Sequence, residues 1–534
     1  MHPPSGSCLA NRSAVTSDST CRPTPAPLDG DPDVTADPSP FDPPEGALRA
    51  TASRGAVATV ISQGALMLTQ IGSVVILSRL LSPEDFGLVA MCTPVIALLM
   101  MLQDFGLLAA TVQKKGLKAE EVNFLFWINV ALSFSLTLLL LAASPLIALF
   151  YQEPRVGPLI AALSVTIALN GLGAQHGALL IRRMQYVRLG FIQVSGAVTS
   201  LAAAALWGWI HPSPWALFGG ALVGTVVPTL GMWIGSRWRP GLPRRIEGWR
   251  PLLNFGAGVT GFNFANFFSM NVDKIAIGRA FGGESLGYYD RAFKLVLMPS
   301  NSIFNPLARV MVPALSRLQD EPDRYRSAYI RVAGLLLFLL LPMMACAAAF
   351  ADVVIPLAFG QNWDGSVAIF TALGIAGLVQ PLNNVAGWLF LSQGRSRDFF
   401  HSGLIHAGFA GVAVLAGLPF GLIGVVVAVA IAEYLKLPAI WALTCRSGPI
   451  RLGDMLRGVG PLVAAVHLVM GLLWVIKPHV PGPGFVALVQ GGILAYVLTA
   501  LLISLTASGR ETLREGWRLA GERLPLRRRL PADA

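Results

Sequence analysis

Between residues 54 and 508, apolar runs of about 20 residues alternate with short polar breaks, and the positive charge gathers in every second break. At 1.5 Å of rise per residue, each run reaches about 30 Å, the thickness of a bilayer core. No soluble core needs helices this long and this apolar. The chain therefore reads as an all-α polytopic membrane protein with about 14 transmembrane helices. The expected spans are 55–78, 86–109, 122–143, 157–180, 189–210, 214–235, 253–278, 286–312, 329–350, 365–391, 400–418, 421–443, 455–476 and 484–506.

Composition agrees. The chain is 54% hydrophobic and 13% charged, where a soluble protein carries about 25% charge. Its net charge of +11 would suggest nucleic acid in a soluble protein. Here basic loops lying against anionic lipid explain it, and no nucleic-acid partner is expected. Cys8, Cys21, Cys92, Cys346 and Cys445 form no CxxC pair and no metal spacing, so neither a disulfide framework nor a metal site is indicated.

The breaks set the orientation. One set carries Arg49 and Arg54, Lys114, Lys115 and Lys118, Arg182, Arg183 and Arg188, and Arg237 through Arg250. It continues with Arg317 through Arg331, Arg395 and Arg397, Lys436 through Arg457, and seven arginines after residue 508. The intervening set carries Arg79, Arg155, Arg279 and Lys477. By the positive-inside rule both termini are cytoplasmic. Residues 1–46 hold seven acids against Arg12 and Arg22, with no apolar signal segment. They read as a disordered tail or as the product of a misassigned start. The last residues place Leu513, Trp517, Ala520 and Leu524 on one face of a basic helix, which suits the cytoplasmic interface.

An internal repeat appears at an offset of 200. "SRLLSPEDFG" runs from Ser78 to Gly87 and "GRAFGGESLG" from Gly278 to Gly287, matching Arg79 with Arg279, Glu84 with Glu284, and Gly87 with Gly287. Six spans separate the copies, so both run the same way. This predicts two pseudo-symmetric six-helix lobes related by an axis along the membrane normal. The divisions follow: a cytoplasmic tail at 1–48, one lobe at 49–246, a second at 247–445, two further spans at 446–508, and a basic interfacial tail at 509–534.

Four basic residues fall inside predicted spans: Lys274, Arg291, Lys294 and Arg309. Each costs roughly 2.5–3.5 kcal/mol near a bilayer centre unless it faces a polar interior. Asp290, Lys294, Asn301, Asn305 and Arg309 recur at steps of four, seven, four and four, which sets them on one helical face. Asn263, Asn266 and Asp273 share a face of the preceding span, with Lys274 beside it. Asp273 and Lys274 lie at the same depth as Asp290 and Arg291, so these groups can meet. Ion pairs that only brace the lobe are one reading. A wet cavity with a positive lining is the other, since two acids cannot neutralise four cations; it would attract an anionic solute. In the first lobe Asp104 is a buried acid and a candidate ion-coupling site, while Gln63, Gln70 and Asn170 are polar positions that suit helix–helix hydrogen bonds. His176 and His467 read as packing residues, and Glu433 and Lys436 as snorkelling ones.

The stretches "ILSRLLSPEDFGLVAM" (76–91), "LQDFGLLAATVQ" (102–113), "LLIRRMQYVRL" (179–189), "NVDKIAIGRAFGGESLGYYDRAFKL" (271–295) and "WLFLSQGRSRD" (388–398) resemble the Wzx-type flippases of lipid-linked oligosaccharides. That group lies within the multidrug/oligosaccharidyl-lipid/polysaccharide exporter superfamily, and the similar branch is the colanic-acid-exporter-like one. The resemblance covers roughly residues 50–450; the acidic N-terminal tail is an addition to the pattern. It implies two six-helix lobes in a V plus two extra helices. It implies transport of undecaprenyl-pyrophosphate-linked oligosaccharide across the bacterial inner membrane, for O-antigen, capsule or exopolysaccharide synthesis, and no enzyme activity. It places Lys274, Arg291 and Lys294 in a cationic lumen, with Asn301, Asn305 and Arg309 as further substrate-binding candidates. Coupling to H+ or Na+ through Asp104, Asp273 or Asp290 is the corresponding expectation, with no cofactor. Membrane lipids, a polysaccharide polymerase and chain-length machinery are the candidate partners.

Three other readings compete. A multidrug antiporter of the same superfamily would want an acidic or aromatic cavity for organic cations. A membrane polymerase or glycosyltransferase would need placed carboxylates or a sizeable outer loop. A lipid II flippase would share the architecture and differ in substrate.

Overall fold

The computed structural model describes residues 41, 48–104, 108, 111–112, 114, 116–242, 249–480 and 482–523. Every regular element among them is helical. The first lobe contains α1 (Leu48–Leu80), α2 (Pro83–Asp104), α3 (Ala119–Tyr151), α4 (Val156–Arg182), α5 (Tyr186–Ile210) and α6 (Pro214–Ser236). The second begins with α7 (Trp249–Ser316) and continues through α8 (Pro322–Ala349), α9 (Ala351–Phe359), α10 (Gly365–Gly377), α11 (Gln380–Ser392), α12 (Ser396–Gly417) and α13 (Gly421–Cys445). The added pair is α14 (Leu452–Ile476) and α15 (Gly484–Ser504), followed by α16 (Ala507–Arg523).

Among the described residues, 11 segments are long and apolar enough to cross a membrane. One of them, Ser396–Cys445, holds both α12 and α13. α7 is absent from that set. It is 68 residues long and is broken into two limbs at Gly282, where φ is +80°. Its second limb bears Arg291, Lys294 and Arg309, and its first bears Lys274.

The break has a physical counterpart 200 residues earlier. Ser82 starts α2: its Oγ accepts the Asp85 N–H at 3.2 Å, and the Asp85 carboxylate takes the Ser82 N–H at 2.9 Å. Pro83 then sits where no helical N–H is missed. In the second copy a glycine in the left-handed region makes the same turn.

The repeat also packs as a repeat. A Cβ on Gly87 would fall 1.7 Å from the Gly283 carbonyl oxygen, and one on Gly287 would fall 1.8 Å from the Pro83 carbonyl oxygen. The two contacts exchange under the offset of 200. Ser78 and Gly278 exchange as well, each covered by a ring from the other lobe. The Trp363 indole donates to the Ser78 carbonyl at 2.8 Å, and Tyr151 Cε1 would lie 3.0 Å from a Gly278 Cβ. Phe86, Trp363, Tyr289 and Ile277 bury one shared apolar core here. This seam lies at the end opposite the basic loops. Outside it, Arg155 reaches both Glu84 (2.5 Å) and Glu153 (2.8 Å).

At the basic end, arginines close helix C-termini. Arg183 and Arg188 donate to the last carbonyls of α6, at Ser236 and Gly235, both at 2.7 Å. Arg395 donates to Leu443, Thr444 and Ser447 at the end of α13. These donors satisfy carbonyls that have no intrahelical partner and oppose the negative end of the helix dipole. The loop arginines therefore cap helices as well as carrying the charge bias of the sequence.

The expected terminal tails fall largely outside the described residues, at 1–40, 42–47 and 524–534. Phe41 is described, and it is buried against Leu117, Val122, Leu179 and Trp238 with Arg183 over its ring. The tail thus has at least one docked residue, because an apolar ring gains by covering that apolar patch. α16 covers part of the expected basic tail. Leu513 packs against the core, Glu515 meets Arg331 at 3.3 Å, and Trp517 is exposed. The side chains of Ala520 and Leu524 lie outside the described residues.

Candidate functional site

The two limbs of α7 run antiparallel after Gly282, so charges at equal depth come together. Asp290 is 1% exposed and holds two cations. Lys294, one turn on, approaches at 2.6 Å, and Lys274 from the other limb at 3.3 Å. Asp273 points elsewhere. The Tyr289 hydroxyl donates to its carboxylate at 2.5 Å, and the Lys274 backbone N–H does so at 2.8 Å. One carboxylate is therefore shared between two ammonium groups, in place of two separate ion pairs.

Arg291 departs from the expected pairing. Its guanidinium stacks 3.5 Å from the Phe86 ring of the first lobe. Its Nε is buried and has no hydrogen-bond partner. Among the described residues no carboxylate forms a salt bridge with it. A cation over an aromatic face retains part of its charge stabilisation without neutralisation, and Arg291, expected in the lumen, does not line the cavity of this lobe.

Inside the second lobe a cavity of about 730 Å³ lies between α7, α10, α11, α12 and α13. Lys274, Asp273 and Asn301 line it, with Phe293, Leu297 and Phe304 from the same limb as Asn301. Two features missed in the sequence also line it. Lys436 is 5% exposed and bonded to Glu433 at 2.5 Å. Reading this pair as snorkelling is thus corrected: the side chains turn into the lobe, where each neutralises the other. Gln380, Asn383 and Asn384 form the second feature, and both amide atoms of Asn383 are buried without a partner. Three carboxamides within five residues of an apolar span were the available signal.

Two cations, Lys274 and Lys436, and two carboxylates, Asp273 and Glu433, line the cavity, while Asp290, Lys294 and Arg291 lie off it. Asp273 is already tied to Tyr289. The expected positive lining is thus corrected: the cavity wall itself is balanced, and the extra cations, Lys294 and Arg291, stand behind it around Asp290.

The remaining candidates scatter. Lys294 is 44% accessible and does not line the cavity. Arg309 is exposed and also lies off it. Successive helical steps carry the polar stripe of this limb around the axis, away from the lining set 293, 297, 301, 304 and 308. The side chains of Asp104, Asn305, Asn263 and Asn266 lie outside the described residues. Gln63 and Gln70 are exposed on α1. His176 packs against Trp233 and Trp238 and meets Ser236 at 2.8 Å. His467 does more than pack, since its Nε2 meets the Tyr434 hydroxyl at 2.7 Å.

The first lobe has its own open cavity of about 370 Å³, lined by Gln103, Asn129, Asn170, Gln193, Thr225 and Thr229 among others.

Comparison with known proteins places this arrangement. The lipopolysaccharide biosynthesis protein WzxC of Escherichia coli is 27% identical over 64% of this chain and 69% of its own. The teichuronic acid biosynthesis protein TuaB of Bacillus subtilis is 26% identical, covering 65% and 72%. The succinoglycan biosynthesis transport protein ExoT of Rhizobium meliloti is 24% identical, covering 91% and 98%. The fold is similar to that of the lipid II flippase MurJ in its inward closed conformation, with a TM-score of 0.67 at 14% identity over 84% of this chain and 97% of that one. An inward-facing multidrug MATE transporter gives 0.54 at 15% identity over 74% and 100%. A family described as "Polysaccharide biosynthesis protein" matches residues 76–368, more than half of the chain, and the chain belongs to that family.

Proposed function

We propose that this protein flips undecaprenyl-pyrophosphate-linked oligosaccharide repeat units from the cytoplasmic to the periplasmic leaflet of a bacterial inner membrane. Both termini are cytoplasmic, and the movement is alternating access between the two lobes. The product feeds O-antigen, capsule or exopolysaccharide assembly, with a polymerase and chain-length machinery as the recipients. The protein transports and performs no covalent chemistry.

The carrying observation is the shared carboxylate: Asp290 between Lys274 and Lys294, with Arg291 beside it on Phe86. A diphosphate headgroup cannot cross hydrocarbon unaided. Fixed cations in a shielded cavity replace its hydration, while the prenyl chain stays in lipid. The glycine seam at Gly87 and Gly287 supports a resting state sealed on the periplasmic side, able to load from the cytoplasm. Asn301 and Asn305 are added headgroup contacts, and Arg309 attracts the headgroup from nearer the cytoplasmic side. Asp104, Asp273 and Asp290 are the candidates for coupling to H+ or Na+. The relatives named for polysaccharide biosynthesis and for transport support the substrate class.

The test is export in a host whose own flippase gene is deleted, with membrane insertion measured in parallel. Lys274→Gln and Arg291→Ala are expected to abolish surface polysaccharide while inserting normally. Wild-type export from both would overturn the cationic site.

A further inference from the structure

The repeat that relates the lobes also relates their cavities, and the two are chemically unlike. The second-lobe cavity carries Asp273, Lys274, Glu433 and Lys436. The first-lobe cavity, between α2, α3, α4, α5 and α6, is lined by carboxamides, hydroxyls and apolar side chains; among the described residues no charged group lines it.

Its polar groups are only partly used. Asn170 donates to the Thr166 carbonyl at 3.0 Å, which leaves its amide oxygen. Asn129 accepts from Ser133 at 3.1 Å, which leaves its amide N–H groups. Thr225 and Thr229 donate to backbone carbonyls and keep lone pairs free. Gln103 is 5% exposed, and neither it nor Gln193 has a hydrogen-bonding partner within the lobe among the described residues. The walls between these groups are Met100, Met232 and Pro228, and a Cβ on Gly173 or Gly177 would crowd the lining residues Thr229 and Met232.

Such a lining offers donors and acceptors in mixed order, beside flat apolar surface and without charge. Phosphate would find no cation among the described lining residues, and an alkyl chain would leave the amides unpaired. A neutral polyhydroxylated ring satisfies both, since each hydroxyl donates and accepts. The volume of about 370 Å³ falls in the range of small-ligand sites. We infer that the first-lobe cavity is a sugar subsite, binding a neutral hexose unit of the lipid-linked headgroup while the second lobe holds the diphosphate. This inference rests on the flippase reading above and adds to it a division of recognition between the lobes.

The test uses the full chain in proteoliposomes with two probes: undecaprenyl pyrophosphate bearing one hexose, and bare undecaprenyl pyrophosphate. Movement is read as headgroup exposed to a membrane-impermeant pyrophosphatase. Wild type is expected to move the hexosylated lipid about tenfold faster, as loss or gain of a satisfied set of hydrogen bonds implies. The double variant Gln103→Leu/Gln193→Leu removes amides. Thr225→Phe fills the space. Each is expected to bring the hexosylated lipid down to the rate of the bare lipid, with the bare-lipid rate unchanged. Lys274→Gln slows both probes. Hexosylated lipid moving at the wild-type rate in both cavity variants would overturn the subsite, as would equal slowing of both probes. If wild type moves neither lipid, the flippase reading itself falls and the subsite falls with it.

Discussion

Gly87 and Gly283 meet through bare backbone, with 1.7 Å between the Gly283 carbonyl oxygen and the place a Gly87 Cβ would occupy. No side chain fits there without separating α2 from α7. Gly287 and Pro83 repeat the relation at 1.8 Å.

Gly87→Ala and Gly287→Ala should therefore behave alike. Each forces the seam apart at a cost of about 1–3 kcal/mol, the range for overpacking. The expected result is lower thermal stability in detergent and faster labelling of a cysteine introduced at Ser285 by an impermeant thiol reagent. Wild-type labelling in both variants would contradict a seam held closed by these glycines.

Asp290→Asn separates charge from packing. It leaves Lys274 and Lys294 without their carboxylate in a site of low polarity. Removing one partner of a buried pair costs about 3–5 kcal/mol, so the variant should be less stable than Lys294→Gln, whose loss leaves Asp290 beside Lys274. Chemical denaturation of the purified proteins checks the order.

Much of this was legible in the sequence. The all-helical membrane class follows from length and apolarity, but 11 segments among the described residues meet that test against about 14 expected, because the charged α7 fails it. The repeat showed because a helix break forced into close backbone contact tolerates few residues, which is why Gly87 and Gly287 match. The meeting of Lys274 with Asp290 followed from depth on antiparallel helices. Helical position says nothing about which neighbour a side chain will choose. Arg291 therefore went to Phe86 across the lobe boundary, and Glu433 and Lys436 turned inward together. Phe41 lies in a polar segment, and its partners, Leu117 through Trp238, reach it only by folding.

Arg155 gives the end opposite the basic loops a pH dependence. Its hydrogen bond to Glu153 holds that carboxyl below its ordinary value. The folded state then binds fewer protons than the unfolded one, so the stabilisation is present above the ordinary carboxyl value. It is lost as pH falls through the lowered one. Thermal stability of wild type should drop between about pH 6 and pH 3 by more than that of Arg155→Gln. Equal slopes for the two proteins would count against the clasp.

Arg395 is a structural test at the basic end. It donates to three carbonyls at the end of α13 and pairs with Asp398 at 2.8 Å. Arg395→Ala should destabilise the second lobe by about 1.5–3 kcal/mol for each charged hydrogen bond that water fails to replace. Arg395→Lys, with a single point charge, should recover only part of this. Hydrogen exchange at residues 440–447 reads it directly.

On the proposed function, the shared carboxylate means that the headgroup site never stands vacant in the electrical sense. Asp290 acts as a resident counter-ion, much as a fixed-charge resin keeps its mobile ion until a stronger one arrives. An incoming diphosphate need not find naked ammonium groups; it has only to out-compete one carboxylate for Lys274 and Lys294. On that same proposal, release on the far side is assisted by the carboxylate closing back, which would put both the grip on the cargo and the means of letting go within one helical hairpin.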